Sequence, residues 1–333
     1  MGPRGARCAH HGELSVFRRA LLAASLATPA LAQGWAPTRP LRMIVPFVAG
    51  GSTDVAARII AEQMSERLGQ PVVVENRGGS GGNIGGEIVA RAAPDGHTLL
   101  MGVTGLLSTN AHIYRNMSFS PARDLAPVGM AYTSDMVIVV PPSLPARNLS
   151  EFVALAKARP GEMSFGSSGH GASTHTAAEL FRMAAGIDLL HVPYRGSGGA
   201  MNDLMSGTLQ MMLVQIAATV GAVRDQRLRA LAVSGPQRHP LMPDVPTVTE
   251  EGYPQATATS WGAVMTTAGT PAPAIARLSE AVRAALTAPV AVQRMMAAGV
   301  DPQASTPEEL AAFIRAEFEK WGRVVREARI QVD

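Results

Sequence analysis

The sequence predicts an α/β protein of two lobes, each a mostly parallel sheet flanked by helices. Three observations carry this. Continuous apolar runs alternate with helical patterns along the chain, as strands covered on both faces require. Two strand–loop–helix units of one plan, both rich in small hydroxyl residues, recur far apart in the sequence. With 333 residues, 47% hydrophobic and 17% charged, the chain can bury a large core and suits two lobes better than one.

The elements follow in order. "LRMIVPF" from Leu41 reads as a strand and leads to a helix from about Asp54 to Leu68. In that helix Val55, Ala56, Ile59, Ile60, Met64 and Leu68 share one side, while Arg58, Glu62, Glu66 and Arg67 fall elsewhere. Ser52 or Thr53 can cap it, and Asp54 suits the positive end of the helix dipole. "PVVVEN" (Pro71–Asn76) precedes "NIGGEIVARAA", and "HTLLMGV" (His97–Val103) precedes "STNAHIY". "MVIVVPP" (Met136–Pro142) precedes "LSEFVALAKARP". "MSFGSS" (Met163–Ser168) precedes "STHTAAELFRMAAG", where Ser173 and Thr174 are cap candidates. "LLHVPY" precedes "GGAMNDLMSG".

The N-terminus reads as a secretory leader, residues 1–32. Arg18 and Arg19 precede a short apolar run, and Ala30-Leu31-Ala32 is a small-x-small cleavage signal. The paired arginines admit a twin-arginine reading, but Leu21-Leu22 match that motif imperfectly, so Sec export is favoured. The leader carries Arg4, Arg7, Arg18, Arg19 and Glu13. Removing these from whole-chain totals of 29 basic and 26 acidic residues leaves 25 of each. Near neutrality argues against a nucleic-acid or polybasic membrane partner. The lone cysteine, Cys8, leaves with the leader, which excludes thiol catalysis and cysteine metal sites in the mature chain.

"FVAGGSTD" (Phe47–Asp54) and "SSGHGASTH" (Ser167–His175) are the two strand-to-helix loops. Free N–H groups at a helix start bind a carboxylate without a cation. Crevices beyond the carboxyl ends of parallel strands are where α/β proteins hold ligands. A plain βα turn would show the same local pattern, so the pairing of two such loops carries the argument. Catalytic alternatives are weaker. "GGSGG" (Gly78–Gly82) matches a nucleophile elbow at Ser80, with His191 or His239 as partners, but any Gly/Ser loop satisfies that pattern. Ile84 stands where a dinucleotide fingerprint needs glycine. His170 and His175 are not at the i, i+4 spacing of a helical zinc pair, so no metal and no cofactor is expected. Polar residues gathered in loops without a nucleophile–base–acid set favour binding over catalysis.

Several stretches resemble the periplasmic solute-binding proteins of tripartite tricarboxylate transporters, the Bordetella-uptake-gene type. They run from "LRMIVPFVAGGSTDVAARII" through "HVPYRGSGGAMNDLMSG" and "LRALAVSGPQRHPLMPDVPTVTEEGY" to "SWGAVMTTAGTP". The resemblance implies a two-lobe, type II Venus-flytrap fold. Residues 33–140 with 259–333 would form lobe 1 and residues 141–258 lobe 2, with crossings near Pro141-Pro142 and Thr257–Trp261. It implies a small organic anion, such as a dicarboxylate, held by Phe47, Ala49, Gly50, Gly51, Ser52, Thr53, Asp54 and Thr104 on one side. Ser167, Ser168, Gly169, His170, Ala172, Ser173, Thr174, His175, Val214 and Gln215 would hold it on the other. It further implies a monomeric periplasmic protein that contacts a membrane permease, with a sensor partner or a secreted serine hydrolase as the alternatives. Members commonly have Phe-Asp-Asn-like residues where this chain has Leu213-Val214-Gln215. Val214 cannot pair an ammonium, which implies a preference for plain dicarboxylates over amino acids.

Overall fold

A computed structural model describes residues 1–2, 34–194 and 196–331. The expected leader beyond residue 2, with Cys8, and Arg195 of the "YRG" stretch lie outside the described residues. From Ala36 onward the chain packs as one unit, because a single ten-stranded sheet runs through it.

The first group of strands is β1 (Leu41–Val45), β2 (Val72–Asn76) and β3 (Thr98–Val103), all parallel. Helix α1 (Ser52–Leu68) connects β1 to β2, and α2 (Asn83–Ala90) connects β2 to β3. A wide turn at Gly105–Thr109 and the short helices α3 (Asn110–Ile113) and α4 (Pro121–Asp124) lead to β4 (Leu125–Val140). The second group is β5 (Ser164–Ser167), β6 (Leu190–Pro193) and β7 (Met211–Gln215), again parallel, with β8 (Arg229–Val233) on β4. Helices α5 (Leu149–Ala158), α6 (Ser173–Ala185), α7 (Ser197–Met205) and α8 (Ile216–Arg224) connect them. The chain returns through β9 (Thr259–Thr267), α9 (Ala272–Thr287), α10 (Pro289–Ala297), β10 (Asp301–Pro302) and α11 (Pro307–Glu327). No helix among the described residues is long and apolar enough to cross a membrane.

The antiparallel centre is what the sequence concealed. β9 lies between β3 and β4 and opposes both, and β4 opposes β7 and β8. β4 is the common member. It pairs β9 as far as Asp135 and takes β7 from Met136, upstream of Pro141-Pro142. Only its second half was legible as a strand. The first half carries Pro127 and Gly129, and its register with β9 shifts at Pro127/Gly129 and again at Met130/Tyr132, which breaks the period-2 pattern.

The second half of β4 is apolar on both faces. Met136, Ile138 and Val140 join a buried cluster with Phe152, Phe165 and Phe181; Val137 and Val139 join another with Met212, Val214 and Val233. Trp321 and Val324 of α11 belong to the first of these clusters. Glu317, one turn earlier, accepts from the indole N–H of Trp261 at 3.0 Å and of Trp321 at 2.8 Å. One buried carboxylate thus ties β9 to the last helix.

Candidate functional site

The loops that leave β1, β3, β5 and β7 all start at the carboxyl ends of parallel strands. The first runs from Pro46 to Gly51. Gly50 has φ +92°, a conformation only glycine adopts freely. Gly85 of α2 packs so closely that a Cβ there would meet Pro46 at 3.0 Å, so the Gly-rich stretch serves backbone approach. Phe47 and Val48 are 40% and 79% exposed at the mouth of this loop.

The N-cap of α1 is Gly51, and no side chain caps the helix, contrary to the cap expected from Ser52 or Thr53. Thr53 Oγ1 instead lies 2.8 Å from the Tyr132 hydroxyl of β4. Asp54 is buried and turned back on its own loop. It accepts from the Gly50 N–H at 2.9 Å, from Asn76 Nδ2 at 2.9 Å and from Arg58 Nε at 3.1 Å. Burial pushes its pKa up, but the bonds from Arg58, Gly50 and Asn76 outweigh that and hold it below the ordinary value. Asp54 shapes the loop, and its carboxylate is not available to a ligand.

The second loop, Ser168–Ala172, repeats the device. Ala172 is the N-cap of α6, again without a side-chain cap, so Ser173 and Thr174 are not the caps expected of them. Thr174 is buried, and its Oγ1 accepts from the Ser168 N–H at 2.9 Å. Thr174→Val should therefore cost about 1–2 kcal/mol of stability, the penalty for a donor left unpaired. Urea unfolding checks this, and an unchanged midpoint would show that the Ser168 N–H finds another partner.

Behind this loop three histidines meet. His175 accepts from the Gly171 N–H through Nδ1 at 3.1 Å, and its ring stacks on His191 at 3.7 Å and 6°. His191 Nε2 lies 2.7 Å from Ser167 Oγ, itself fully buried. His170 stands edge-on to both, at 5.8 and 5.2 Å. Burial, with neighbouring His191, His170 and Arg182, pushes His175 down to about 3; burial, with His170, pushes His191 down to about 4. Both rings are neutral at physiological pH. The role of His191 was not legible, because only the β5/β6 pairing, Phe165 opposite His191, brings it to the loop.

The remaining expected site residues divide. Gln215 ends β7 beside the second loop, with Nε2 3.4 Å from Ser173 Oγ. Thr104 is buried, its hydroxyl bonded to the Trp261 carbonyl at 3.2 Å and receiving the Trp261 N–H at 2.8 Å. Its side chain locks β9 to the turn after β3. Val214 is fully buried in the apolar cluster with Val137 and Met212. Strand alternation turns it away from the loop side, so the ligand preference drawn from Val214 loses its basis. The turn after β3 approaches the second loop, since a Cβ on Gly105 would sit 3.8 Å from the Gly171 carbonyl oxygen.

The nucleophile-elbow alternative fares poorly. Ser80 is exposed with φ +48°. The histidines considered for it are engaged elsewhere, His191 at Ser167 and His239 at Asp301, 3.5 Å away.

Comparison with known proteins converges. The model of the tripartite tricarboxylate transporter family receptor matches residues 56–330. Protein BugT of Bordetella pertussis (strain Tohama I) is 38% identical over 315 residues, 94% of this chain and 96% of that one. Among solved structures, R. palustris Rpa4515 with adipate superposes with a TM-score of 0.80 at 33% identity, covering 89% of this chain and 99% of that one. MatC (Rpa3494) from Rhodopseudomonas palustris, with bound malate, gives 0.76 at 31% identity over 87% and 99%.

Proposed function

Because the chain belongs to the tripartite tricarboxylate transporter receptor family, we propose that it is an exported binding protein for a small organic dicarboxylate, which it delivers to a membrane permease. Residues 1–32 direct export to the periplasm, and the mature chain acts as a monomer without catalysing a reaction. Residues 33–140 with 259–333 form one lobe and 141–258 the other, and the ligand lies between them.

The observation that carries this reading is the pair of long helices, α1 and α6, that start in the two loops without a side-chain cap. Only α5 (by Asn148) and α11 (by Thr306) carry a side-chain cap among the described long helices, and α2, α7, α8, α9 and α10 lack one as well, so the reading rests on where α1 and α6 start, in the two Ser/Thr-bearing loops. First-turn N–H groups left free by the protein are donors for a carboxylate. Two such starts suit an anion with a charge at each end. Gly51, Ser52 and Thr53 hold one carboxylate; Ser168, Gly169, Ala172, Ser173 and Gln215 hold the other. Relatives with bound adipate and malate support the ligand class.

Calorimetry with adipate and with hexanoate tests it. Loss of one carboxylate removes charge-assisted hydrogen bonds of about 1.5–3 kcal/mol, so adipate should bind at least about tenfold tighter. Equal affinity for the two acids, or no binding across mono-, di- and tricarboxylates, would overturn the reading.

A further inference from the structure

We propose that a groove between α9, the start of α11 and the first half of β4 binds an amphipathic monocarboxylate, an acid with one carboxylate on an apolar body. The groove holds about 650 Å³, and Ile275, Ala276, Ser279, Arg283, Pro307 and Ala311 line it. That volume falls in the range of small-molecule sites, about 300–1,000 Å³. No residue of the two strand-to-helix loops lines it, so it is a second site. Ile275, Ser279 and Arg283 recur every fourth residue and stand in one row along α9. Beside them Ala276 offers a single methyl group, which leaves the groove open. Pro127 of β4 adds to the wall where the register with β9 shifts, and such irregularities gather beside functional sites.

Two polar groups in this apolar setting are unspent. Ser279 is 3% exposed, and its Oγ has no hydrogen-bond partner among the described residues. A helical serine commonly bonds back to a carbonyl one turn earlier, and a buried hydroxyl without a partner is rare and costly. A Cβ on Gly129 would stand 4.0 Å from this oxygen, so β4 leaves it space, and a change of χ1 turns the hydroxyl into the groove. Arg283, one turn further along the same row, makes no ion pair among the described residues, whereas Arg277 of the same helix pairs with Glu280 at 2.8 Å. A hydroxyl and a guanidinium in one row can donate to the two oxygens of one carboxylate. Glu308, exposed on the opposite wall, repels a second negative charge. The acid therefore rests its carboxylate on α9 and its apolar body on Ile275, Pro307 and Ala311.

Calorimetry of the full chain with octanoate, with and without excess adipate, tests this, and 1-octanol is the uncharged control. One equivalent of octanoate should bind, unaffected by adipate, and 1-octanol should bind at least about tenfold more weakly. Arg283→Gln should weaken octanoate at least about tenfold at an unchanged melting temperature, since the residue is exposed. Ser279→Ala should weaken it too without lowering the melting temperature, because it removes a hydroxyl that has no partner. Ala276→Trp, at an exposed position, should fill the groove and abolish binding. Absence of saturable binding would overturn the proposal. So would displacement of octanoate by adipate, equal affinity for 1-octanol, or binding undiminished in Arg283→Gln and Ala276→Trp.

Discussion

Ser52→Pro is expected to weaken dicarboxylate binding about ten- to hundredfold while leaving the melting temperature nearly unchanged, because it removes one N–H aimed at a charge, worth about 1.5–3 kcal/mol. The substitution is mild for the fold. Ser52 is the first residue of α1, where proline is well tolerated. Gly51 before it is extended, at φ −77° and ψ 165°, as a residue preceding proline prefers. Ser173→Pro is the matching change at α6, where Ala172 has φ −63° and ψ 155°. Only the 3.4 Å contact from Gln215 is lost with its hydroxyl. If each helix start holds one carboxylate, the two losses add, and the double variant should not bind measurably at millimolar adipate. Calorimetry beside thermal melts is the measurement. A folded double variant with native affinity would move the anion away from the helix starts.

The second large effect concerns acid. In metal-free buffer, folding stability should fall by about 2 kcal/mol between pH 7 and pH 5. His175 and His191 have folded-state values near 3 and near 4, below their ordinary value. The unfolded chain therefore takes up protons below about pH 6.5 that the folded chain refuses, and stability is lost as pH falls through that window. Fully buried His175 loses about 2 kcal/mol by pH 5 at about 1.4 kcal/mol per unit, and half-buried His191 loses less. Asp135 works against them. Burial, with Asp301 nearby, raises it to about 6 although His239 pulls it down. Its charged form is strained at neutral pH and relieved as pH falls, offsetting about 1 kcal/mol. Denaturant unfolding across this range checks the sum, and His191→Gln should flatten the slope. Stability that rises on acidification would mean that the imidazoles are charged in the folded protein.

Local signals were well preserved in the sequence. The strands of both parallel groups, the core face of α1 and the two loops between strand and helix could be read from period and glycine placement. What could not be read was non-local. Nothing near Thr259 states that β9 inserts between β3 and β4, and nothing near His191 states that it will stack on His175. Thr104 shows this best, since its hydroxyl is taken by Trp261 far along the chain. Asp54 and Thr174 have the chemistry of ligand contacts but bond near neighbours, Gly50 and Arg58 or Ser168, pairings that the sequence allows without singling out. Val214 shows the limit of reasoning by position within a motif. A single-residue difference in which face of β7 meets the loops decides whether a side chain touches a ligand or a core.

Trp321 and Val324, near the end of the chain, complete the apolar cluster around Phe152 and Phe181. The middle segment therefore closes its interior with residues far away in sequence, a contact of long separation that local pairing cannot supply and that slows the search for the native packing.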